Sequence, residues 1–235
     1  MNTKDEQRVI RLYYERTGPL AWIAHLDMMR LFERALARAA WPVSWTEEAF
    51  NPRPQLVFAL PVGVGIETRM DPVDIILEDP DKEFQVEDGL LRLRAALPAG
   101  VRIRAFEETD PRAKSLMARV TGASYRIEAP GILEAYEKTF RGGPVEVSRI
   151  RKKKKSTVDL TPRIFKAEGE GEDILVVTGG AGSQDHLRTD LLLEALVSYG
   201  GLAEDAAQGA RIVRLSVFLD AKPAGEGIIV EMADA

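Results

Sequence analysis

The sequence predicts an α+β protein of two tandem ferredoxin-like (βαββαβ) domains, each an antiparallel sheet with its helices on one face. Three observations predict it. The order strand, helix, strand, strand, helix, strand is readable within about the first 105 residues, which is the split βαβ arrangement. A similar order returns in the second half, although no residue-level repeat accompanies it. The composition, with 235 residues of which 45% are hydrophobic and 29% charged, lets such a chain bury a sizeable core without a disulfide or metal staple.

The elements follow in order. Residues 8–16, RVIRLYYER, alternate as a half-buried strand and stop at Thr17-Gly18-Pro19. Residues 21–40 change to helical spacing, with His25, Met28, Phe32, Ala35 and Ala39 three or four apart and no internal Gly or Pro. Pro42 opens an extended segment, Asn51-Pro52-Arg53-Pro54 punctuates it, and QLVFALPVGVGIE reads as a hairpin that continues to VDIIL at residues 73–77. After Asp79-Pro80, residues 83–97 read as a second helix closed by Pro98 and Gly100, and residues 101–106 as a strand.

The first domain is placed at residues 1–108, a linker at 109–122 and the second domain at 123–235. There the sequence predicts a strand at SYRIEA, a helix over 132–140, a strand over 145–150, a helix over 189–199 and a last strand at RIVRLSVFL. Residues 152–178 are read as two strands around a turn at 168–172. The tail beyond Lys222 reads as peripheral, with 228–230 suited to an edge strand.

Composition removes whole classes of chemistry. With no cysteine there is no disulfide, no thiolate for an iron–sulfur cluster or Cys-type zinc site, and no thiol nucleophile. Two histidines, His25 and His186, are too few for a His-only metal site. Neither a metal nor a cofactor is expected. No apolar run of membrane-spanning length occurs and the first residues are charged, so a cytoplasmic location without membrane contact is expected.

A net charge of -5 argues on average against nucleic acid, but the charges are unevenly placed. Residues 110–166 hold 14 basic against 6 acidic residues, a net of +8, and residues 167–235 hold 4 against 13, a net of -9. Within the basic stretch lies RIRKKKK, comprising Arg149, Arg151, Lys152, Lys153, Lys154 and Lys155. Such a run neutralises phosphates and releases counterions without sequence preference. The alternative for it is a solvated edge whose lysines prevent strand pairing.

Arg30, Arg34 and Arg38 recur at four-residue spacing on the predicted first helix and form one basic face, with Asp27 as a partner for Arg30. Asn51 and Arg53 sit in a proline-stiffened loop that loses little entropy on binding. His25 is the candidate catalytic residue, because a near-neutral pKa suits proton transfer in RNA cleavage. Its position on the apolar stripe also fits a buried, hydrogen-bonded histidine. The glycines ahead of His186 lack the lysine of a phosphate loop.

GPLAWIAHLDMMRLFERALARAAWPVSW, EEAFNPRPQLVFALPVGVGIE and VDIIL together resemble the radical-SAM-linked protein family, a bacterial domain found alone or fused behind radical-SAM enzymes. The family pattern falls on His25, Leu26, Asp27, Glu33, Arg34, Phe50, Asn51, Pro52, Pro61, Gly63 and Glu67. Ala49 stands where members usually have glycine, and Arg53 where many have a second histidine. The resemblance implies a radical-SAM partner and, through its usual gene neighbours, RNA metabolism or modification. At fold level the predicted domains also look like the repeat-processing endoribonucleases of CRISPR systems.

The expectation is therefore an RNA-binding accessory module without catalytic activity of its own. It would contact tRNA or rRNA through Arg30, Arg34, Arg38, Asn51, Arg53 and the 149–155 run, would work with a radical-SAM protein, and would show no DNA specificity. Two alternatives stand beside it: a metal-independent endoribonuclease using His25, and a protein-interaction scaffold.

Overall fold

The computed structural model describes residues 7–46, 50–151, 154–182 and 185–225. The chain is α+β and divides into two compact units, residues up to 120 together with those from 219, and residues 121–218.

The first unit contains β1 (Arg8–Arg16), a 3-10 turn (Gly18–Trp22), α1 (His25–Arg38), β2 (Leu56–Phe58), β3 (Ile66–Leu77), α2 (Val86–Ala96), β4 (Val101–Thr109) and α3 (Leu116–Arg119). Its strands lie in the order β4-β1-β3-β2, and every neighbouring pair is antiparallel. Met28, Phe32, Ala35 and Leu36 of α1 and Val86, Leu90 and Leu93 of α2 join Ile10, Leu12, Tyr14, Val73, Ile75, Val101 and Ile103 in one apolar cluster. Both helices therefore cover the same face of the sheet. At its centre the rings of Tyr14, Phe32 and Phe58 meet edge to face, with centroids 5.0 to 6.0 Å apart, the arrangement that aromatic quadrupoles favour.

The first helix is shorter than its sequence pattern. Pro19 starts the 3-10 turn, Ile23 is extended, and α-helical geometry begins only at His25. At the other end Pro42 disfavours helical geometry in Trp41, and Ala40 takes a positive φ of 51°. Gly100 has φ +96°, and a Cβ there would stand 2.8 Å from the carbonyl oxygen of Thr17. This close approach lets Thr17 N donate to Gly100 O at 2.8 Å, closing the β1–β4 edge.

Alternation along β1 sends Arg11, Tyr13 and Glu15 to the face away from the helices, yet all three are buried. The backbone of Gly225 lies against Tyr13 and Met70 on this side, so residues 219–225 return to cover part of it.

The second unit contains β5 (Val120–Glu128), α4 (Ile132–Phe140), β6 (Glu146–Arg151), β7 (Lys154–Asp159), a 3-10 turn (Thr161–Arg163), β8 (Ile164–Gly169), β9 (Ile174–Gly180), α5 (Thr189–Gly200), α6 (Glu204–Gln208) and β10 (Arg211–Leu219). Its strand order is β10-β5-β9-β8, with β5–β9 and β8–β9 antiparallel. Strands β6 and β7 pair only with each other among the described residues, from Glu146 opposite Asp159 to Arg151 opposite Lys154. They form a separate hairpin between α4 and β8. Helices α4 and α5 approach so closely at Gly200 that a Cβ there would lie 2.2 Å from Ala135 O and 2.6 Å from Thr139 Oγ1.

The segment 109–122 carries α3 and the first residues of β5. Residues 228–230 lie outside the described residues. Among the described residues, no helix is long and apolar enough to cross a membrane.

Candidate functional site

The arginines of α1 form the clearest basic feature. Arg30, Arg34 and Arg38 fall on the face opposite Met28, Phe32 and Leu36, because helical residues four apart lie above one another. They line a groove of about 440 Å³ whose other wall is the end of α2, Ala96 to Pro98, with Leu31 and Leu97 as its apolar part.

The three are engaged to different degrees. Arg38 Nη2 donates to Ala96 O at 2.6 Å, satisfying a carbonyl that the end of α2 leaves open. Arg30 Nη1 reaches Asp27 Oδ1 at 3.1 Å in an exposed pair, which contributes little and reorganises easily. Arg34 is exposed and makes no ion pair or hydrogen bond among the described residues.

His25 opens α1, half-buried, with its ring edge-on to Phe58 at 5.4 Å between centroids. Its surroundings are set by Arg16, a wholly buried side chain at the end of β1. Arg16 donates to Ile23 O at 3.3 Å, Gly63 O at 2.9 Å and Ile66 O at 2.6 Å. It thus ties the chain just before α1 to the β2–β3 loop. Glu67 Oε1 accepts from Gly18 N at 3.0 Å in the same corner, and Gly65 N donates to Ala21 O at 2.8 Å. Gly63 and Glu67 of the signature therefore hold this corner together. Nothing in the strand pattern of RVIRLYYER marks Arg16 as the clamp.

Asn51 and Arg53 are exposed in the excursion between α1 and β2. Its base is fixed by the Trp45–Pro54 bridge, by Thr46 N donating to Arg53 O at 2.9 Å, and by Arg53 N donating to Thr46 Oγ1 at 3.0 Å. Sequence reasoning missed the aromatic exposure nearby. Phe50 is fully exposed and Trp45 half exposed in the excursion, while Trp22, 71% exposed, lies over Gly65 just before α1. Only the fact that three large aromatics occur in segments rich in Pro and Gly could have signalled it.

In the second unit the basic run falls on the β6–β7 hairpin. The backbone of Arg149, Arg151, Lys154 and Lys155 is in paired strands, and their side chains lie outside what is described. Lys152 and Lys153 lie outside the described residues altogether. His186 is a different kind of residue from His25. Burial, reinforced by the nearby cations Arg214, Arg188 and Arg163, holds its pKa below the usual histidine value and keeps the ring neutral.

No curated protein matches the chain. A family model does, over residues 9–189, from β1 to the first residue of α5, which is more than half of the sequence. Matched from the β1 strand that ends at Arg16 into the second unit, the chain belongs to DUF2344, a family of uncharacterized proteins conserved in bacteria.

Proposed function

We propose that this protein is an RNA-binding accessory module that presents RNA to a radical-SAM partner. The observation that carries the reading is the α1 groove. Three arginines on one helical face, one of them unengaged among the described residues and one held only by an exposed pair, border a groove of about 440 Å³ and offer cations to a sugar-phosphate backbone. The exposed rings of Trp45 and Phe50 beside Asn51 and Arg53 supply the stacking surfaces that unpaired bases use. The radical-SAM partner rests on the resemblance carried by the segments at residues 18–67 and 73–77.

The same reading gives both units a ferredoxin-like ancestry. The orders β4-β1-β3-β2 and β10-β5-β9-β8 are each what a split βαβ pair produces, with the β6–β7 hairpin inserted in the second. The inserted hairpin carries the lysine run, and a basic hairpin added to a duplicated scaffold suits an RNA contact.

The test is fluorescence anisotropy of a labelled single-stranded oligoribonucleotide over a salt series, with wild type and an R30Q/R34Q/R38Q variant. Wild type binds, and the variant binds more weakly with a log-affinity against log-salt slope shallower by about 2, at about 0.7 for each phosphate that is no longer neutralised. Equal slopes for the two proteins, or no wild-type binding at low salt, refute the proposal.

A further inference from the structure

On the sheet face away from α1 and α2, three arginines of the first unit gather round a single carboxylate. Glu15, whose side chain is only 8% exposed, has Arg69 Nη1 at 3.7 Å, Arg102 Nε at 3.8 Å and Arg104 Nε at 3.9 Å. The placement follows from the strands. Val101 and Ile103 face the apolar core, so Arg102 and Arg104 face the other side, where the β1–β4 register sets Arg102 opposite Glu15.

None of the three contacts is a hydrogen bond. Four residues earlier on β1, Arg11 meets Asp74 fork to fork at 2.7 and 3.0 Å, so this sheet does build bidentate pairs where pairing is the purpose. Around Glu15 the guanidiniums stand off, with Arg69, Arg102 and Arg104 at 47, 65 and 48% exposure. Among the described residues their N–H groups make no hydrogen bond. One arginine would balance Glu15; three leave a net charge of +2. The next carboxylate along β4, Glu107, is already engaged by Tyr13 at 2.6 Å and Arg11 at 3.4 Å.

We propose that Arg69, Arg102 and Arg104 form a phosphate-binding site around Glu15, whose carboxylate stands 3.7 to 3.9 Å from the three guanidiniums and leaves their donors unconsumed. A phosphate group matches the residual double charge, and its oxygens accept the parallel N–H pairs that guanidinium forks offer. The site is separate from the α1 groove and does not depend on the RNA reading. Its phosphate comes either from a nucleic-acid backbone or from a phosphorylated small molecule.

The experiment titrates the full chain with inorganic phosphate and, separately, with a 12-nucleotide oligouridylate ending in a 5′-hydroxyl. Wild type, R102Q/R104Q, R69Q and the isosteric E15Q are compared, each first checked for a native unfolding transition. Wild type binds inorganic phosphate, R102Q/R104Q and R69Q weaken it by about tenfold or more, and E15Q tightens it because the site gains a positive charge. If the arginine variants weaken phosphate alone, the natural ligand is a free or terminal phosphate. If they also weaken the oligouridylate, it is a backbone. Arginine variants that bind both probes within about twofold of wild type, or an E15Q that binds phosphate more weakly, overturn the site. The R30Q/R34Q/R38Q protein separates the two proposals, since it loses RNA while keeping inorganic phosphate.

Discussion

Replacing Asp74 by alanine removes the partner of a buried cation, and the structure sets the size of the penalty. Arg11 is 4% exposed, and Asp74 accepts from its Nε at 2.7 Å and from its Nη2 at 3.0 Å. Breaking such a pair from one side costs about 3–5 kcal/mol, because the remaining charge is left without solvent or partner. Here Glu107, 35% exposed and 3.4 Å from Arg11 Nη1, retains a weak hold, so D74A is expected at the lower end, about 3 kcal/mol. Removing both charges, as in R11M/D74L, leaves no orphan and is expected to lie within about 1 kcal/mol of wild type. The assay is urea unfolding followed by tryptophan fluorescence. Trp22, Trp41 and Trp45 are the chain's only tryptophans, and all three lie in the first unit, so the signal reports that unit alone. A D74A cost below about 1 kcal/mol, or an R11M/D74L cost equal to that of D74A, would refute the argument that an orphaned charge sets the penalty.

In the second unit, Gly200→Ala forces a methyl to within 2.2 Å of Ala135 O and is expected to cost about 1–3 kcal/mol by pushing α4 and α5 apart; hydrogen exchange in α4 and α5 would rise, while the tryptophan transition stays put. His186 has a folded-state pKa below its unfolded value, so between those values the unfolded chain binds the extra proton and stability falls as pH drops below about 6.5. H186Q is expected to flatten that slope in the second unit's unfolding, and an unchanged slope would count against the burial argument. Trp41→Phe removes the donor of a buried 2.9 Å bond to Gly89 O from a carbonyl that lies inside α2, and is expected to cost about 0.5–1.5 kcal/mol, measured by urea unfolding with circular dichroism.

Local pattern carries much of the fold and less of the site. RVIRLYYER, ILEAYEKTF and RIVRLSVFL stand as β1, α4 and β10 with the boundaries their patterns predict, because each has one dominant period and a Pro or Gly near one of its ends. Periodicity starts α1 too early because residues 21–24 are apolar enough to continue a helical stripe, while the 3-10 turn that displaces it depends on Pro19 and on Arg16 binding Ile23 O from β1. The bonds of Arg16 join residues 7 to 50 positions apart, and no local window contains them. The β6–β7 hairpin is readable as strands but not as a separate sheet, since pairing choice is a tertiary matter. Helical spacing places His25 on the apolar stripe, where the structure has it. Its packing against Phe58 depends on where β2 runs, which the sequence does not state.

Charge counting fails for the same reason, and the arginines of the first unit show how. Arg8, Arg11 and Arg16 look no different in sequence from Arg34, Arg69, Arg102 or Arg104. Yet Arg8 is held by Asp79 and Glu108, Arg11 by Asp74, and Arg16 by three carbonyls, so none of them has a fork to offer a ligand. The others keep their donors free of hydrogen bonds among the described residues. Net charge sums both kinds equally, which is why a chain at -5 can still present local sites for anions. What separates a structural cation from a binding cation is whether its N–H groups already have acceptors at hydrogen-bonding distance. By that criterion Arg34 on the α1 face and the arginines of the Glu15 cluster, not the clamp at Arg16, are where substitution should change binding before it changes stability.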